Sequence, residues 1–207
     1  MGDLLHFPTE RTRPRAASVA PQAVFCFDVR DPFSYLVAER VERRLPDATW
    51  VAVDAHALDA ALGRAHAEAE ARRLRIPLVW PERFPVSSPR AQRAAAFACE
   101  VGAGPAFALA AARLAFCGGF SLEDLDVIAE AAAAAAVPLG PCLEAAAEGR
   151  RDEELREATA ALRAAGVRRL PAVRIGSRWR QGDGALEAAA ALLERSRLTQ
   201  GPLAPAG

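Results

Sequence analysis

The ten residues Phe27-Asp28-Val29-Arg30-Asp31-Pro32-Phe33-Ser34-Tyr35-Leu36 decide how this chain is read. They close a short apolar stretch, Ala23 to Val29, rich in aromatic and branched side chains, which predicts a buried strand. Asp31 followed by Pro32 predicts that a helix starts at once, with Asp31 as N-cap and the proline at the first helical position. The apolar spacing carries that helix to about Arg44, with Phe33, Leu36, Val37 and Val41 on its inner face. A strand, a tight turn and a helix N-terminus make a natural site for chemistry. This turn holds no cysteine, so dithiol–disulfide exchange is excluded there.

Outward from the turn, Thr49 to Val53 reads as a second strand and completes a βαβ unit with parallel strands. Leu58 to about Leu74 is helical in composition, and three prolines between Ile76 and Pro85 preclude a regular helix there. Ser88-Pro89 opens a helical block that runs to about Ala165. Gly118-Gly119 and Pro138 to Pro141 break it, Ser121 with Asp124 reads as a capping box, and Ala131 to Ala136 reads as helix core. Strand character returns at Pro171 to Ile175 and at Arg178 to Arg180, on either side of a Gly176-Ser177 turn that would set Arg174 opposite Trp179. Asp183 then caps a last helix from Gly184 to about Arg195, and the tail from Ser196 reads as loose. The order is β-α-β, a helical block, then β-β-α, with the two β-rich ends expected to share one sheet.

Composition narrows the function. The 26 basic residues are all arginine, which excludes a Schiff-base lysine and a phosphate-loop lysine. They are matched by 26 acidic residues, and a net charge of zero argues against a nucleic-acid binder. No stretch is long and apolar enough to span a membrane, and the first twenty residues lack the apolar core of a secretory signal, so a cytoplasmic location is expected. Cys26, Cys99, Cys117 and Cys142 lie at no metal-binding spacing and read as small buried hydrophobes. His6, His56 and His66 likewise show no metal spacing, and His56 and Asp54 read as surface residues. Arg168, Arg169, Arg174, Arg178 and Arg180 make one end of the fold basic. This suits either an acidic small molecule or a solvated edge.

The element order and four segments resemble the DsbA-like family of thioredoxin-fold proteins, closest to its branch of 2-hydroxychromene-2-carboxylate isomerase and kappa-class glutathione transferase. The segments are Phe27 to Leu36, Ile76 to Pro85, Gly166 to Val173, and Gly182-Asp183. The resemblance covers roughly residues 22–195. It implies an α/β thioredoxin-like fold with an inserted all-helical subdomain. The thioredoxin-like part would be 21–85 with 166–197, and the insertion 86–165. Residues 1–20 would be an irregular arm and 198–207 a loose tail.

The same resemblance implies roles. The redox cysteines of the oxidoreductases fall at Asp31 and Ser34, and a serine beside the glutathione sulfur falls at Asp31. Leu170, before a cis Pro171, would pair through its backbone with glutathione. Asp183, after Gly182, would hold the γ-glutamyl ammonium. The arginine expected next is replaced by Gly184. Asp31 departs from the pattern, because a carboxylate repels a thiolate. Asp31 and Ser34 are the candidate catalytic residues, Asp31 being either a general base or a plain N-cap. Leu170, Pro171, Gly182 and Asp183 are the candidate glutathione contacts. Three functions stay open: a glutathione-dependent isomerase or transferase of small molecules, a binding module that has lost catalysis, and, disfavoured, a disulfide oxidoreductase. Homodimers are frequent in the branch, so a homodimer is expected too.

Overall fold

The computed structural model describes residues 22–58, 63–85 and 87–200. The expected N-terminal arm and residues 201–207 lie outside these residues; the start of the expected loose tail, 196–200, instead continues the last helix. Strand β1 (Ala23–Phe27) runs into helix α1 (Pro32–Arg44), and β2 (Thr49–Ala52) returns parallel to β1. After α2 (Arg64–Leu74) come α3 (Arg90–Glu100), α4 (Gly104–Phe116), α5 (Leu125–Ala134), α6 (Leu139–Ala147) and α7 (Asp152–Ala164). The hairpin β3 (Ala172–Ile175) and β4 (Arg178–Gln181) follows, then α8 (Ala185–Gln200). The sheet order is β2-β1-β3-β4, with β3 antiparallel to both β1 and β4. The two β-rich ends of the chain thus share one sheet.

All five residues of β1 are buried, because both faces of the sheet are covered. Phe25, Phe27 and Trp50 project into the larger core with α1, α3, α4 and α8. Val24 and Cys26 point to the other face, where Leu162 of α7 and Val167 cover them. Alanines at Ala94, Ala95, Ala98, Ala108 and Ala111 are buried and allow the inserted helices to approach closely. Helix α3 packs on both α6 and β2, so the helical block is joined to the sheet. The hairpin register sets Arg174 opposite Trp179, with the guanidinium 5.5 Å from the ring centroid, as the turn spacing predicts.

Several local expectations are corrected. Strand β1 ends at Phe27, since the Val29 N–H leaves the ladder for the side chain of Gln92. Helix α2 starts at Arg64; Ala55–Ala57 is a separate 3₁₀ turn capped by Asp54, and Leu58 is extended. Ser121 and Asp124 form no capping box, because Asp124 itself caps α5 through the Asp126 N–H at 2.9 Å. The alanine run leaves the helix after Ala134, and Ala136 is left-handed with φ 54°. Cys117 is exposed, although Cys26 and Cys142 are buried as expected.

Candidate active site

The site begins where β1 stops. Asp28 is fully buried and collects donors. Its Oδ1 accepts from the Arg30 backbone N–H and Nε, both at 2.9 Å. Its Oδ2 accepts from Arg30 Nη2 at 2.7 Å and from the Ala55 N–H at 2.9 Å. Arg30 Nη2 also reaches Asp54 Oδ1 at 2.8 Å, and Nη1 reaches the Ser88 carbonyl at 3.2 Å. One guanidinium therefore binds both carboxylates and fastens the end of β1 to the turn after β2. Contact with His56, and then Arg30, holds the Asp54 carboxyl low, at about 2, against the opposing effect of burial.

Gln92 on α3 completes this frame. Its Nε2 donates to the carbonyls of Phe27 (3.0 Å) and Val53 (2.8 Å), and its Oε1 accepts from the Val29 N–H (3.0 Å). One side chain thereby pairs three backbone groups where the two strands end.

Asp31 caps α1 as the Asp-Pro pair predicts, its Oδ2 accepting from the Ser34 N–H at 2.7 Å. The Ser34 hydroxyl donates to the same oxygen at 2.7 Å and accepts from the Asp28 N–H at 3.3 Å. Ser34 is buried behind the carboxylate, so the structure brings it to Asp31 but not to the cavity. Burial pushes the Asp31 carboxyl up to about 6. The Ser34 hydroxyl and N–H pull it down, and Asp28 pushes it up further.

Asp31 lines a cavity of about 480 Å³. It is lined also by Arg30, by Pro32 and Phe33 at the start of α1, and by Leu58, Trp80 and Phe84. Trp80 and Phe84 pack with ring centroids 4.7 Å apart, and Trp80 Nε1 donates to Glu68 Oε1 at 2.8 Å. Arg64, at the start of α2, lies over both rings, 4.9 Å from Trp80 and 5.3 Å from Phe84. Arg169 closes the other side, where a Cβ at Gly182 (φ 81°) would meet its side chain at 3.5 Å. Neither arginine has a carboxylate partner among the described residues.

The Leu170–Pro171 bond is cis, and Leu170 lines the cavity. Among the described residues its backbone N–H and C=O have no partner, while the Pro171 carbonyl accepts from the Gly182 N–H at 2.9 Å. Asp183 lies apart from the cavity lining. Its Oδ2 is 3.0 Å from His66 Nε2, and that contact holds its carboxyl below the usual range. Of the six candidate residues, Asp31 and Leu170 share the cavity; Ser34, Pro171 and Gly182 support it; Asp183 does not line it.

The sequence reading placed His56 and Asp54 on the surface and gave Gln92 no role. His56 is exposed, as expected, and also lines the cavity, whereas Asp54 is half-buried on Arg30. The Asp-x-His spacing at the end of β2 was the available signal for the first two. Asp28, Asp54 and His56 bring ligand-type atoms within 4.8 Å of one another. Arg30 Nη2 already lies on both carboxylates, so a cation there would meet a fixed positive charge.

Comparison with known proteins agrees with this architecture. The sequence pattern of the DSBA-like thioredoxin domain matches residues 22–193. Among solved structures, a 2-hydroxychromene-2-carboxylate isomerase superposes with a TM-score of 0.72 at 17% identity, covering 87% of this chain and all of that one. A probable DsbA oxidoreductase from Streptomyces coelicolor gives 0.67 at 16% identity, over 90% of this chain and 94% of that one. DsbA from Pseudomonas aeruginosa gives 0.53 at 15% identity, over 90% and 92%. At these identities the likeness is one of fold. No curated protein sequence matches the chain.

Proposed function

We propose, for a chain that belongs to the DSBA-like thioredoxin domain family, an isomerase-type activity in which Asp31 moves a proton on a small organic carboxylate. The observation that carries this reading is the Asp31 carboxyl, at about 6, opening on an apolar cavity. A carboxyl poised there exists in both forms near neutrality, as acid–base catalysis requires. Trp80, Phe84, Phe33 and Leu58 offer an apolar ligand body its contact surface. Arg64 and Arg169 supply cationic donors for a carboxylate at the rim. The superposing isomerase is named for a carboxylate, which agrees with this ligand class.

Glutathione is the finer version of the proposal, and the residues fit it unevenly. The unpaired Leu170 backbone favours it. Asp31 opposes a bound thiolate, and Asp183 is engaged by His66 outside the cavity lining. Saturable thermal stabilisation by millimolar glutathione, lost on Leu170→Pro but kept in Asp31→Asn, would restore the glutathione version. A homodimer in a reducing compartment completes the proposal, supported there by four free cysteines.

Phenylpyruvate tests the main reading, since it joins an aromatic ring, a carboxylate and an acidic methylene. Wild-type protein is expected to accelerate its keto–enol exchange, read as deuterium uptake at the methylene. Asp31→Asn should remove the acceleration while binding persists, and Arg169→Ala should weaken binding. Binding without any exchange in the wild type would favour the module that has lost catalysis.

A further inference from the structure

A proton shift between two positions of a substrate needs a group that takes a proton and another that gives one. Asp31 supplies one. Of the other charged or titratable side chains that line the same cavity, Asp28 is locked on Arg30, Arg30, Arg64 and Arg169 are guanidinium groups, and His56 alone offers an imidazole nitrogen that can take or give a proton. We propose that His56 is the second proton-transfer group of this cavity; the inference rests on the reading of Asp31 given above.

The geometry around His56 is that of a held imidazole. His56 Nδ1 lies 3.4 Å from Asp54 Oδ1, and the same oxygen accepts the His56 backbone N–H at 3.1 Å. Ring and backbone are thus both referred to one carboxylate. Asp54 is fixed in turn: Arg30 Nη2 grips it at 2.8 Å, and its N–H donates to Thr159 Oγ1 at 2.9 Å. Thr159 is buried and donates to the Leu155 carbonyl at 2.7 Å. With Nδ1 turned toward Asp54, Nε2 is the ring nitrogen left for chemistry. Nε2 has no partner among the described residues, and the side chain is 46% exposed.

Other charges face this group as well. From α1's leading turn, Arg30 and Asp28 lie beyond Asp54. From α7, Asp152 and Arg156 line a polar cleft of about 250 Å³ that shares His56 with the main cavity. Asp152 is held by Arg93, and Arg156 by Glu153. Arg163, also on α7, donates to the Ala57 carbonyl one residue away. Asp54 is the nearest of these to the ring.

The step balances without a co-reactant. Asp31 carboxylate takes the proton from substrate carbon, the electron pair moves into the conjugated system, and His56 imidazolium gives a proton at the new position. Asp31 ends protonated and His56 neutral, and exchange with solvent through the open cavity restores both. Reversal of the roles catalyses the reverse shift.

The test is phenylpyruvate tautomerisation followed from pH 4.5 to 9 with wild type, His56→Gln, Asp31→Asn and His56→Ala. The proposal expects a bell-shaped profile for the wild type. His56→Gln should lower kcat on the order of 100-fold with KM little changed, and should remove one limb while the limb near 6 remains. Added imidazole should restore rate to His56→Ala, which a merely structural role would not produce. Unchanged rate and both limbs in His56→Gln, with loss only in Asp31→Asn, would overturn this inference and leave the reading of Asp31 standing. Absence of exchange in the wild type would overturn both. If His56→Gln is unstable, the imidazole response of His56→Ala decides alone, and no response counts against the proposal.

Discussion

Asp31 Oδ2 receives both donors of a single residue, the Ser34 N–H and the Ser34 hydroxyl, each at 2.7 Å. Two such bonds should make an acid stronger, yet burial outweighs them and the carboxyl settles at about 6. The fold thus maintains a carboxylate at a cost. That cost is expected at a functional group and is unnecessary for a helix cap, which asparagine would serve equally.

Asp31→Asn is therefore expected to stabilise the protein at pH 8. The group binds its proton more tightly folded than unfolded, so its contribution is greatest below pH 4 and is lost as pH rises through about 6. A rise from 3.8 to about 6 corresponds to about 3 kcal/mol at most. Urea denaturation should show the variant more stable by about 1–3 kcal/mol at pH 8, with the gap closing toward pH 4. An equal or less stable variant at pH 8 would mean that the carboxylate is favourable in the fold.

Ser34→Ala removes one donor to Asp31 and the acceptor of the Asp28 N–H. The Asp31 carboxyl should move further up, since the hydroxyl is its strongest lowering contact. The midpoint is readable by carbon-13 NMR of the carboxyl. The lost pairing should cost about 1–2 kcal/mol. A midpoint that stays near 6 would show that the hydroxyl does not tune the carboxyl.

Arg30→Met should be among the most damaging single changes. It leaves Asp28, fully buried, without its main counter-charge and releases Asp54. Breaking a buried pair from one side costs about 3–5 kcal/mol. Adding Asp28→Asn should recover at least half of the loss, because the stranded charge is then gone. A double variant as unstable as the sum of its singles would show that the charges act separately, and chemical denaturation of the four proteins measures this directly.

Much of this frame was legible before any coordinates. The apolar run to Phe27, the Asp31-Pro32 start and the Gly176-Ser177 turn each rest on local rules, and each forms as expected. What escaped depended on distance along the chain. His56 is a surface residue, as read, but only the fold shows that Arg64 of α2 and the Trp80–Pro85 segment line one cavity with it. Asp183 follows its motif in sequence, yet α2 brings His66 to it. Ser34 sits one helical turn from Asp31, as its spacing says, but only the buried Asp28 N–H shows that its hydroxyl is already committed.

Gln92 was the least legible of all, since one glutamine in an alanine-rich helix carries no pattern. It lies 63 residues from Val29 and 39 from Val53, yet it joins both strand ends. Gln92→Leu keeps much of the volume and removes all three bonds. The Val29 N–H and the Val53 carbonyl would then lack partners, at about 1–3 kcal/mol each before relaxation, while the Phe27 carbonyl keeps the Val53 N–H at 3.0 Å. A net loss of about 3 kcal/mol or more is expected by urea denaturation. Amide exchange should rise first at Val29, whose N–H has no other acceptor among the described residues. If Val29 stays as protected as in the wild type, water has taken the place of the glutamine and the strand end does not depend on it.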